Sequence, residues 1–116
     1  MKDYYGEIQY KDKTYKLVFN LNVMEAIQEE YETLTRWSEL TDGSTGEVSA
    51  KAVIFGFREM LNEGIEIMND ENGTDEKLLT LKEVGRFITD VGLMEATKKL
   101  NDTVIESTKS SDEKNE

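Results

Sequence analysis

The stretch Ser49–Met68, SAKAVIFGFREMLNEGIEIM, is the longest amphipathic run in the chain and the one around which a small domain can be built. Ala50, Val53, Ile54, Phe57, Leu61, Ile65 and Met68 recur at spacings of three and four, the mark of a helix with one apolar stripe. Gly64 falls on the same stripe, where a missing side chain admits a close neighbour. Phe55 falls on the opposite face, among Lys51, Glu59, Asn62 and Glu66. That is an odd place for a phenylalanine.

On the N-terminal side of this hub, Tyr4–Tyr10 and Thr14–Phe19 alternate in the manner of half-buried strands. Tyr15, Leu17 and Phe19 share one face of the second. Lys11-Asp12-Lys13 between them is short and polar enough for a hairpin turn. Two strands alone are marginal, so the hairpin must lay its aromatic face on helices, or pair its free edge with another copy or a partner strand. Asn20 or Asn22 can cap a helix running to about Leu34, with Val23, Met24, Ile27, Tyr31 and Leu34 inside and Glu25, Glu29 and Glu32 in solvent. Thr35–Leu40 reads as a further turn or a short second helix, and it carries the sole tryptophan. Trp37 is either a core plug or an interface anchor. Residues 41–47, TDGSTGE, form a loop with two glycines.

On the C-terminal side, residues 69–76, NDENGTDE, read as a flexible acidic connection. As a calcium loop they fit poorly, because Gly73 is misplaced and the closing glutamate is missing. Thr80-Leu81-Lys82-Glu83 is a capping box that opens a helix. Leu81, Val84, Phe87, Ile88 and Val91 make its face, and Gly92 suits a left-handed stop. Leu93 starts a last helix with Ala96, Thr97, Leu100 and Val104 on one face, while Met94 and Ile105 lie off it. Residues 109–116, KSSDEKNE, hold no apolar side chain and read as a disordered polar tail. The expectation is one domain over 1–108, α+β and mainly α, with an N-terminal β-hairpin packed on a bundle of about four to five helices.

Composition excludes several classes. The 116 residues contain no Cys, His or Pro, which removes disulfides, thiolate metal sites and the commonest general base. No apolar run approaches a membrane span, and the opening Met-Lys-Asp-Tyr-Tyr is not a signal peptide. The formal charge of −11 repels nucleic acid phosphates. Its excess lies in residues 21–108, with 19 acidic against 8 basic side chains. No phosphate-binding glycine motif, nucleophile elbow or dinucleotide fingerprint occurs. Glu25 and Glu29, one turn apart, lack a third ligand or a partner base. The chain therefore reads as a non-enzyme with no catalytic residue, no cofactor and no metal. Its surplus hydrophobic residues, Trp37, Phe55, Met94 and Ile105, are the candidate partner contacts.

The order of parts resembles the tail assembly chaperones of long-tailed bacteriophages and prophages, including the related proteins of gene-transfer-agent-like tail clusters. The hairpin YGEIQYKDKTYKLVFNLNVM, the acidic helix EAIQEEYETLTRWSEL, the hub AVIFGFREMLNEGIEI and the closing segment TLKEVGRFITDVGLMEATKKLNDTVIEST carry the resemblance. It covers about Tyr4 to Thr108. The resemblance implies a protein of the host cell cytoplasm that coats the helical tape measure protein and keeps it soluble. It also implies help in recruiting tail tube protein, with no role for nucleic acid or membrane. Two other readings stay open: a structural tail or head completion protein that remains in the virion, and an acidic DNA-mimic or regulatory module.

Overall fold

The computed structural model describes residues 5–114, with side chains through Lys109; Tyr4 of the expected first strand lies outside the described residues. Two antiparallel strands, β1 (Tyr5–Tyr10) and β2 (Lys13–Val18), are followed by five helices. These are α1 (Leu21–Tyr31), α2 (Leu34–Asp42), α3 (Ala50–Asn72), α4 (Leu81–Val91) and α5 (Leu93–Lys114). The fold is α+β and mainly α, a hairpin on a helical bundle, as its periodicities predict.

The hub is α3, which touches β2 and all four other helices. Ser49 caps it by accepting from Ala52 N–H, and Gly73 ends it in the left-handed conformation (φ 65°). Its buried face is Ala52, Val53, Gly56, Phe57, Met60, Leu61, Gly64 and Ile65. The expected stripe is thus rotated: Ala50 is exposed, Ile54 is half-buried, and Ala52, Gly56 and Met60 join the core. The reason is that α3 is packed on several sides, so a single stripe underestimates what it buries. Two of its glycines are required by contacts. A Cβ at Gly56 would stand 2.3 Å from Cζ2 of Trp37, and one at Gly64 would stand 2.6 Å from the carbonyl oxygen of Lys16.

The hairpin pairs Tyr10 with Lys13 and Tyr5 with Val18, so its loop is Lys11-Asp12, with Lys11 at φ 55°. Its inner face buries Ile8 and Leu17, and Phe19 follows at the strand exit. Tyr10 stacks on Phe87 of α4 (centroids 4.3 Å apart), Tyr15 meets the same ring edge-on at 5.3 Å, and Phe57 lies 5.9 Å away. Phe87 therefore ties hairpin, hub and α4 together. Both strand edges abut helices at mid-strand. The Lys16 carbonyl lies against Gly64 of α3, while the Glu7 carbonyl accepts from Lys99 Nζ of α5 at 3.0 Å.

The connections are more ordered than their composition predicts. Asn20 caps α1 by accepting from Val23 N–H, and its amide donates to Glu63 of α3 at 2.7 Å. α1 ends at a tight turn: Thr33 N–H donates to Tyr31 O across Glu32, whose φ is 75°. Thr33 then caps α2. The acidic connection 69–76 is not the loose loop expected. Helix α3 runs through its first residues, and Asn69 then holds the rest. The Asn69 side chain accepts from Glu76 N–H and Thr74 Oγ1 and donates to Glu76 O. Seven residues earlier on α3, Asn62 accepts from Leu79 N–H (2.8 Å) and donates to Leu79 O (3.0 Å). Two asparagines two turns apart thus lay this segment along the helix, and Lys13 of the hairpin pairs with Glu76.

The Thr80–Glu83 capping box is present in full. Gly92 does not make the left-handed stop expected of it. Its φ of 106° comes with an extended ψ of 132°, and its carbonyl accepts from Ala96 N–H to start α5 directly. Ala96, Leu100 and Val104 are buried as expected, joined by Thr103 and Ser107. Backbone helix continues to Lys114, past the boundary expected at Thr108, since nothing after Gly92 breaks it. The side chains of the expected tail beyond Lys109, and residues 115–116 altogether, lie outside the described residues.

Candidate functional site

An open cavity of about 1000 Å³ forms a trough between α3 and α4 with one edge formed by α1. Lys51, Ile54, Phe55 and Arg58 of α3 line one wall, at helical spacings of three and four. Leu81, Lys82, Gly85, Arg86 and Thr89 of α4 line the other, again on a single face. Ile54, Phe55 and Leu81 make the floor apolar. Thr89 supplies the hydroxyl on the wall, and it is spent on a bond to Gly85 O at 2.9 Å. Nothing in the trough pairs a nucleophile with a base.

The walls carry four cations against the single carboxylate of Glu30, in a chain whose formal charge is −11. Glu30 lies 3.8 Å from Lys51, and Arg58 is bonded to Glu59 at 3.0 Å. Arg58 Nε is buried without an acceptor. Lys82 and Arg86 form no ion pair among the described residues. Below the trough, Tyr31 meets Phe55 edge-on at 5.6 Å, and its hydroxyl is buried without a partner. Burial pushes that hydroxyl's pKa up, and the neighbouring Glu30 carboxylate adds to the shift.

The four candidate contacts separate. Phe55 does not face solvent as its helical position predicts; it is half-buried on the trough floor, because α1 and α4 cover that side of α3. Trp37 is no surface anchor. It is fully buried, its indole N–H donates to Ala52 O at 3.0 Å, and it fills the space that Gly56 leaves. Met94 (86% exposed) and Ile105 (53% exposed) lie on the outer surface of α5, away from the trough. They are three turns apart, with the Lys98–Asp102 ion pair between them.

Sequence reasoning missed the trough because it assigned Ile54 and Leu81 to core stripes and drew nothing from the cations beside them. The available signal was Lys51 and Arg58 bracketing the misplaced Phe55, and Lys82 and Arg86 bracketing Gly85. Among the described residues no three acidic, His or Cys side chains come together to hold a metal. No described helix is long and apolar enough to cross a membrane. Comparison with protein-family models, with curated proteins and with solved structures found no match.

Proposed function

We propose that this chain is a tail assembly chaperone of the long-tailed bacteriophage kind. It binds the helical tape measure protein in the host cytoplasm, holds it in solution and helps recruit tail tube subunits. It performs no catalysis. The observation that carries the reading is the open trough between α3 and α4, on a chain whose order of elements resembles such chaperones. Capture of an amphipathic helix uses an apolar channel between elements with polar groups at its rim. Met94 and Ile105 on α5 offer further apolar contact on the same chain.

Co-expression with the tape measure protein of the neighbouring gene tests this. The expected result is a partner that is insoluble alone, soluble with this chain and co-purified with it. A partner equally soluble in both cases, with no co-purification, overturns the reading. Finding the chain by mass spectrometry as a stoichiometric part of purified virions would assign it to the finished particle instead.

A further inference from the structure

We infer that the α3–α4 trough docks an amphipathic helix of a partner protein whose apolar stripe is flanked by carboxylates. This rests on the binding role proposed above and adds both the surface that serves it and the charge of what it takes. The bulk charge of the chain points to a basic partner, but the trough points the other way. Screening at physiological salt leaves charges interacting over only about 8 Å, so the local rim, not the net charge, decides what can lie there. That rim holds Lys51, Arg58, Lys82 and Arg86, of which the last two form no ion pair among the described residues, although the Arg86 charge acts through space on the Glu83 carboxylate.

Spacing favours a helix over a small anion. Lys51 and Arg58 stand seven residues apart and Lys82 and Arg86 four, or about 10 Å and about 6 Å of helical rise. Carboxylates at the same intervals along a docked helix would meet them in turn. A small ligand is usually enclosed over most of its surface, and this trough is open.

Gly85 is the second observation. A glycine inside a helix costs about 1 kcal/mol relative to alanine, and Gly56 and Gly64 repay it in close packing. Gly85 does not: a Cβ there would find only Ile54 Cδ1, at an ordinary 3.7 Å. Within the chain nothing requires the missing side chain, whereas an occupant of the trough would. The chain's own outer faces do not match the rim. The Glu25–Glu29–Glu32 side of α1 has only Leu21 as an exposed large apolar group, and the outer face of α5 interleaves Met94 and Ile105 with both signs of charge.

The test uses the full chain and two labelled helical peptides of about five turns. Both carry the same leucine stripe, flanked by Glu in one and by Lys in the other. Fluorescence anisotropy at physiological salt should show the Glu peptide binding at least tenfold more tightly, an advantage that shrinks in molar salt, where even the rim is screened. K82E/R86E should reverse the preference, and Gly85→Met should weaken both peptides at least tenfold with the melting transition retained. Leu21→Ser, at an exposed residue outside the trough lining, should change neither. Equal or tighter binding of the Lys peptide, or full binding by folded G85M, overturns the inference. So does a dimer of the free chain that K82E/R86E abolishes, which would make the trough a contact between copies. If the tape measure protein co-purifies equally with wild type and K82E/R86E, the trough assignment fails while the binding role stands. If it never co-purifies yet the peptides discriminate as expected, the role fails and the trough stands.

Discussion

Three helical glycines illustrate what a single residue reveals and what it hides. Gly56→Ala forces a methyl group into the Trp37 ring and should destabilise by about 2 kcal/mol in urea unfolding, within the usual range for overpacking. Gly85→Ala should stabilise by about 0.5–1 kcal/mol, because the helix gains and nothing is crowded. The opposite signs depend on what stands opposite each glycine, which spacing along one helix does not encode. Gly64 was legible only because it fell on a stripe that had to meet something. The role of Trp37 was undecidable for the same reason, since an indole suits a core and an interface equally. Tyr31 adds a titration. Its hydroxyl is buried and unpartnered, and its raised pKa means that its contribution is whole below the unfolded value of about 10. That contribution is lost as pH rises through the folded value. Tyr31→Phe should remove this alkaline loss and stabilise by about 1 kcal/mol at neutral pH, since an unsatisfied buried hydroxyl is removed.

At the scale of elements, local signals were read well where a few neighbouring residues decide the structure. The Thr80–Glu83 box needs no tertiary information, and it is present as predicted. The bond from Thr80 N–H, first among several causes, holds the Glu83 carboxyl below its ordinary range. A lowered pKa means stability present above the unfolded value of about 4.3 and lost as pH falls through the folded one. Glu83→Gln should therefore flatten the acid limb of a stability–pH curve, and Thr80→Ala should cost about 1 kcal/mol in thermal or urea unfolding. The connection from α3 to α4 was misread because its order comes from side chains that look like any loop asparagines. Asn62→Ala strands the Leu79 N–H and carbonyl in a half-buried position. It should cost about 1–3 kcal/mol and raise amide exchange over 74–79.

The whole molecule measures 37 × 36 × 24 Å, a thin body in which a 23-residue helix contacts nearly everything else. Phe57→Ala at its centre should cost about 3–5 kcal/mol, the usual loss for a buried aromatic ring. Phe55→Ala should cost less in urea unfolding, yet it removes the floor of the trough and should weaken helix binding more than Phe57→Leu does. Class and element order were legible because hydrophobic period alone sets them. The rotation of α3 was not, since it depends on how many neighbours the helix has. One contact carries a further consequence. Lys99 bonds to the backbone of Glu7 across 92 residues of chain, and Gly6 sits under Thr103 of the same helix. A ribosome adds about 5–20 residues per second, so the outer edge of β1 waits about 5–20 s after synthesis before the segment that covers it has been made. β1 leaves the ribosome long before the helix that seals it, and during every round of translation that bare edge is open to whichever strand reaches it first.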